Sequence, residues 1–174
     1  MGNNISKLLI VALLLAHSTL GMASETHARE YKIKAAYLYN LIKFINWPSA
    51  SAPTTSTHIC IIGENLFGQN LEKLAQRKAK GLPITVSHQA KEFSDTGCHI
   101  VFISRDSNSE QLLPSLANST SLIVGEQKQF IEQGGLISLV VINNNIQLQI
   151  NLTKAKATGY EVSGNLLEIA KIIK

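Results

Sequence analysis

The run His99–Ser104 reads His-Ile-Val-Phe-Ile-Ser, with four apolar residues in succession and no alternation. A strand of that kind has no face to turn toward water. It belongs inside a sheet covered on both sides, which is the habit of parallel sheets. Three further short runs have strand character: His58–Ile62, Pro83–Ser87 and Ser121–Val124. Pro83 opens its run, where a missing N–H is tolerated. Helical periodicity separates these runs. Leu66–Lys78 reads as an amphipathic helix with Phe67, Leu71, Leu74 and Ala75 inward, and Asn108–Asn118 as another. Residues 88–97 make a brief crossover with a helical turn around Lys91–Ser94. Gln127–Gln133 reads as a short helix stopped by Gly134-Gly135.

The style changes after Gly135. Leu136–Ile142 and Ile146–Ile150 are separated by Asn143-Asn144-Asn145. Asparagine tolerates left-handed backbone, so this is a hairpin signal. Ile146, Leu148 and Ile150 alternate with Gln147 and Gln149, which predicts one buried face and one facing water or a partner. Thr153–Thr158 reads as a short helix ending at Gly159. Ser163 is positioned to cap a last helix whose Leu166, Leu167, Ala170 and Ile173 share a face. The sum is an α/β layered domain with a mostly parallel central sheet flanked by helices and a C-terminal antiparallel hairpin. Right-handed crossovers place the first of these four strands between the second and third, with the fourth outside the third. The hairpin then extends the sheet as an antiparallel edge.

Residues 1–23 read as a secretory signal. Lys7 precedes an apolar run from Leu8 to Ala16, and Gly21 and Ala23 frame a cut after Ala23. That run is far shorter than the roughly 20 residues a spanning helix needs. The alternative reading is an uncleaved anchor. Cleavage leaves residues 24–174 as one domain, exported to the periplasm and not itself membrane-spanning. Without Lys7 the chain carries 15 basic and 12 acidic side chains, a formal charge of +3. So small and scattered an excess gives no dense basic stripe for nucleic acid. Lys73, Arg77, Lys78 and Lys80 cluster on one predicted helix and read as a solvated face.

Residues 31–48 carry a helical period ended by Trp47-Pro48, since proline disfavours helical geometry in the residue before it. Ile33, Tyr37, Leu41 and Phe44 form one stripe, widened by Leu38, Ile42 and Ile45; Lys32, Lys34, Asn40 and Lys43 fall outside it. Trp47 reads either as a partner anchor or as a plug at the bottom of the core. The wording of this stretch is more specific than its period. Lys34-Ala35-Ala36-Tyr37-Leu38-Tyr39-Asn40, followed by Lys43-Phe44-Ile45-Asn46-Trp47-Pro48, resembles the signature that opens the YfiR family of periplasmic proteins. The resemblance continues in order through Ile59–Gly63, Phe67-Gly68, Cys98–Ile103, Leu122–Gly125, Phe130 with Gly134-Gly135, Ile150-Asn151-Leu152 and Leu166–Ala170. It implies a non-enzymatic regulator that binds and restrains the extracytoplasmic domain of a membrane signalling protein, expected to be a diguanylate cyclase. It names no partner-facing residue and leaves a homodimer open.

Other chemistries fit less well. Gly63-Glu-Asn-Leu-Phe-Gly68 follows a strand and precedes a helix, but continues Gln69-Asn70 where a phosphate loop needs Lys then Ser or Thr. A tight strand-to-helix turn accounts for it. Gly134-Gly135 lacks the third glycine and acidic partner of a dinucleotide fingerprint. No nucleophile–base set and no cofactor motif stands out. Cys60 and Cys98 are an even pair in an exported chain, which suggests a disulfide. The bridge would close about 39 residues and stabilise by about 4 kcal/mol in the chain-entropy picture. A link between adjacent parallel strands is open to strain and hence to redox response, against the plainer reading of a structural staple. His58 and His99 flank the cysteines and raise a metal site as the rival, although the spacing matches no zinc framework. The family resemblance places a cysteine pair at these two positions, which favours the bridge. Some relatives carry a second pair that this chain lacks. A soluble small-ligand module and an enzyme with a dispersed site are the remaining alternatives.

Overall fold

In a computed structural model, the structure describes residues 26–89 and 97–173. The signal segment and the turn around Lys91–Ser94 lie outside them. The first helix, α1, spans residues 26–44 and runs into a two-residue strand β1 (Ile45–Asn46). Next come β2 (Thr57–Ile62), α2 (Gln69–Ala75), β3 (Lys78–Ala79) and β4 (Leu82–Gln89). Then follow β5 (Ile100–Ile103), α3 (Ser109–Ser115), β6 (Leu122–Gly125), β7 (Ile137–Ile142) and β8 (Asn145–Asn151). The chain closes with α4 (Leu152–Ala157), β9 (Glu161–Val162), α5 (Gly164–Leu167) and β10 (Lys171–Ile173).

Eight strands form one sheet in the order β10-β8-β7-β6-β5-β2-β4-β3. Its centre, β4-β2-β5-β6-β7, is parallel throughout. The expected order of the four sequence-predicted strands is therefore the observed one. Residues of β2 sort by parity onto the two faces. Ile59 and Ile61 join Ile100, Phe102, Leu122 and Val124 in the larger core under α1 and α2. Cys60 and Ile62 join Val101, Ile103 and Ile123 in a smaller core on the opposite face, with Leu113 and Leu116 of the α3 region.

Several expectations need correction. The hairpin turns at Asn143 and Asn144, both left-handed (φ 50° and 61°), as two-residue hairpin geometry requires. But β7–β8 is not the sheet edge, because β10 adds in parallel outside β8. The C-terminal helix expected to reach Ile173 stops at Leu167, and the β-branched run after it pairs with Gln149–Asn151. Ser163 precedes that helix without a side-chain capping bond. Gln149 is buried rather than facing water. Gln127–Gln133 is a series of turns, not a helix. The helix drawn over Leu66–Lys78 is confined to Gln69–Ala75, so of the four clustered cations only Lys73 is helical. Leu66–Gly68 is turn and Lys78 belongs to β3. The buried face of α1 is Tyr31, Lys34, Ala35, Leu38, Leu41 and Ile42, while Ile33 is 37% exposed. The stripe read from hydrophobicity therefore lies about one residue away from the true face.

Candidate functional site

Lys34 is wholly buried, and that position organises one end of the sheet. Its ammonium donates to Glu126, just past the C-terminal end of β6, and to Glu30 one helical turn earlier. Glu126 also accepts from the Tyr31 hydroxyl at 2.9 Å and from the backbone N–H of Arg105 at 2.7 Å. Arg105 follows β5; its guanidinium reaches Glu30, the Glu126 carboxylate and, at 3.1 Å, the Tyr31 oxygen. Two cations and two carboxylates around one tyrosine give a compensated buried set. Burial, then the Glu126 charge, raises the Tyr31 hydroxyl far above its usual range. Burial tends to raise the Glu30 carboxyl, but Lys34 and Arg105 outweigh it and hold it below its ordinary 4.5. The Tyr31 ring stands edge-on to Phe67, and Phe67 to Phe102.

This ionic cluster sits beside the C-terminal ends of parallel strands, where open α/β sheets commonly bind ligands. Here the chain's own side chains fill the space. Asp106, beyond β5, accepts the Glu64 N–H through both carboxylate oxygens at 3.2 Å. Gly63 is left-handed (φ 95°), and a Cβ there would lie 2.3 Å from the Ser107 hydroxyl. That close approach explains the glycine, and a carboxylate already occupies the turn that resembled a phosphate loop.

The other side of α1 faces α2 across a cleft of about 410 Å3. Lys32, Lys73 and Arg77 bring three cations to it, Tyr39, Asn40 and Asn70 add neutral polar groups, and among the described residues no carboxylate lines it. Arg77 stacks over the Tyr39 ring at 5.6 Å, and the Tyr39 hydroxyl donates to the Lys78 carbonyl. Lys43 lies over the Tyr39 and Phe44 rings. The signature residues therefore divide. Lys34 and Ala35 are buried, Tyr39 and Asn40 line the cleft, and Tyr37 and Phe44 pack half-buried against the core. Trp47 is half-buried just after β1, donating to the His99 carbonyl at 3.3 Å and meeting Tyr160 edge-on; Pro48 lies against Gly159.

The remaining signature positions explain themselves locally. Gly125 and Gly135 flank the buried Phe130 ring, and a Cβ on either would lie within 2.3 Å of it. Gly134 is left-handed at the preceding turn, and Gly68 is left-handed ahead of α2. Asn151 caps α4 by accepting from the Lys154 N–H at 2.9 Å, and Leu152 opens that helix.

Cys60 and Cys98 are bonded, with Cα atoms 5.8 Å apart. Cys98 lies two residues before β5, so the bridge ties a strand to an entry segment rather than two laddered residues. The His58 Nε2 lies 2.9 Å from the Ser87 hydroxyl and 3.9 Å from the Cys60 sulfur. His99 is turned elsewhere, its Nδ1 accepting the His58 backbone N–H at 3.0 Å. Burial, then the neighbouring His58, pushes the His99 imidazole down from its ordinary value.

The sequence profile of a family described as YfiR/HmsC-like matches residues 31–171, from Tyr31 of the ionic cluster to the first residue of β10. The chain belongs to the YfiR/HmsC-like family. The family is one of periplasmic regulators in cyclic di-GMP signalling, regulatory rather than catalytic. No curated protein matches the sequence. Among solved structures, an ABC domain from Streptococcus pneumonia in complex with L-Trp superposes with TM-score 0.55 at 14% identity, covering 78% of this chain and 59% of its own. This YfiR-like chain thus spans well under two thirds of that neighbour, and the likeness speaks to the fold alone. A conserved domain protein from Vibrio cholerae aligns at TM-score 0.48 and 14% identity, over 68% of this chain and 55% of its own. Among the described residues, no helix is long and apolar enough to cross a membrane.

The sequence pointed to Lys34 only through its resemblance, and missed Tyr31, Arg105 and Glu126. The Glu30–Lys34 spacing of four was a readable signal. The partners, Arg105 at 75 residues from Glu30 and Glu126 at 92 from Lys34, were not, because nothing local marks them.

Proposed function

We propose that this YfiR-like protein binds the extracytoplasmic domain of a membrane diguanylate cyclase and holds the enzyme in its inactive conformation. The observation that carries this reading is the family match over residues 31–171. Control of this kind is a population shift: the regulator must bind the inactive form of its partner more tightly than the active one. A cytosolic reaction is then governed from outside through a membrane-spanning partner, with no catalysis asked of this chain. The face we assign to the partner is the cleft between α1 and α2. Lys32, Lys73 and Arg77 give it a positive potential that complements an acidic surface and speeds association with one.

Deleting the gene should raise cyclic di-GMP and surface attachment, and an exported copy should reverse both. Lys73→Glu combined with Arg77→Glu should fail to reverse them while leaving the unfolding midpoint of the purified protein unchanged. Equal complementation by a copy lacking residues 1–23 and confined to the cytoplasm would overturn the reading.

A second reading is favoured by the size of the same cleft, since about 410 Å3 falls within the range of small-molecule sites. Raised thermal stability with one member of a panel of small anionic metabolites, lost in the double charge reversal, would support a ligand-binding module instead.

A further inference from the structure

The Cys60–Cys98 bridge lies beside a histidine that points at it. We propose that when a dithiol reductant opens this bridge, Cys60, Cys98 and His58 together bind one Zn2+ ion. The donor atoms of these three residues all lie within 4.8 Å of one another. Zinc takes sulfur at about 2.3 Å and imidazole nitrogen at about 2.0–2.1 Å in a tetrahedron, which sets neighbouring donors roughly 3.5–3.8 Å apart. The His58 Nε2 and the Cys60 sulfur already stand at 3.9 Å. Only the Cys98 sulfur has to swing outward once its bond is cut. Cys98 sits before β5 rather than within it, so this motion breaks no ladder pairing.

The reductant's two thiols are oxidised to a disulfide, and the electron pair cleaves the Cys60–Cys98 bond. Two protons pass to the cysteine sulfurs. The metal then displaces both protons to solvent, since thiolate is the ligand. Two thiolates and a neutral imidazole cancel the charge of the dication, which a buried site requires. Cys60 is wholly buried and Cys98 nearly so, while His58 is only partly buried, so the ion approaches from the histidine side. The Ser87 hydroxyl, now bonded to Nε2 and 3.5 Å from the Cys60 sulfur, would be released to hold a water in the fourth position. His99 does not belong to this group of donors, and its Nδ1 already accepts the His58 backbone N–H. Disulfide and metal thus compete for the same two sulfurs, and zinc would retain the reduced form.

The test uses the purified chain reduced with dithiothreitol, freed of it under argon, and titrated with Co2+ as a coloured stand-in and then with Zn2+. Expected are one equivalent of Co2+ with thiolate charge-transfer absorption, its displacement by Zn2+, and reoxidation by oxidised glutathione that Zn2+ blocks and a chelator restores. The oxidised chain should take up no cobalt. His58→Ala should lose the stoichiometric cobalt signal while keeping both cysteines. The proposal is overturned if the reduced wild type binds no metal. It is also overturned if His58→Ala binds equally well, or if circular dichroism shows the reduced chain unfolded with Zn2+ present.

Discussion

Replacing Glu126 by alanine removes the common acceptor of the ionic cluster. In the wild type that carboxylate receives Lys34, the Tyr31 hydroxyl, and both the backbone amide and the guanidinium of Arg105. The side chains of Lys34 and Glu126 are 0% and 1% exposed, so the loss leaves a buried ammonium with Glu30 as its remaining carboxylate. Removing one partner of a buried pair costs about 3–5 kcal/mol, against roughly 0.2–1 kcal/mol for exposed pairs. The Arg105 side chain is 40% exposed, so its share belongs nearer the lower figure. For a chain of this size the loss corresponds to a midpoint fall of about 6–20 °C. Lys34→Met should cost less than Glu126→Ala. It keeps the buried stem and leaves Glu126 with the Arg105 amide and Tyr31. Thermal and urea unfolding of the two variants, followed by circular dichroism, gives the comparison. If both lose less than about 1 kcal/mol, or if Lys34→Met is the more damaging, the reasoning fails.

Cys60→Ser should destabilise the oxidised protein by about 4 kcal/mol less any strain relieved, measured by urea unfolding with and without reductant; an unchanged midpoint would remove the staple from the account. Gly135→Ala should cost 1–3 kcal/mol, roughly the penalty for overpacking, because its new methyl meets the Phe130 ring at 2.2 Å and the Phe130 carbonyl oxygen at 2.6 Å. Gly134→Ala, with nothing within 4 Å, should suffer only its left-handed backbone. His99 should make stability pH-dependent. Its imidazole is held below the ordinary 6.5 and accepts a backbone N–H only when neutral. The unfolded chain therefore takes up the proton first as pH falls. The His99 contribution is fully present above about pH 6.5 and is lost as pH drops below it. His99→Gln should flatten the fall in unfolding free energy between pH 7 and pH 5.

The sheet was legible because its signal is local. The strands β5 and β6 are apolar runs, β2 and β4 each carry a shorter apolar stretch between turn signals, and handedness leaves few orders for them. The chain's last elements were not legible, for a tertiary reason. Lys171-Ile172-Ile173 continues a helical period on paper, but β8 offers an open ladder beside it, and β-branched residues accept a strand at little cost. Gln127–Gln133 has helical composition, yet the chain turns there around Phe130, whose ring fits only because residues 125 and 135 have no side chain. On the first helix hydrophobicity misplaces the face, because Lys34 is buried on its carboxylate partners while Ile33 stands exposed.

The burial of Lys34 also decides how the signature stretch should be probed. Lys34 points inward to a carboxylate 92 residues away, while Lys32 and Asn40, on the same helix, open onto the cleft. Loss of repression on changing Lys34 therefore carries no information about the partner unless the fold is shown intact, because the expected first effect is on docking of α1 to the sheet. Loss of repression on changing Asn40 or Lys32, with the unfolding midpoint unchanged, speaks to recognition. One short stretch of sequence thus serves two requirements on two sides of a helix, and its resemblance to relatives cannot separate them. Burial can: the positions that hold α1 down have side chains shut away from solvent, and those available to a partner remain in contact with it.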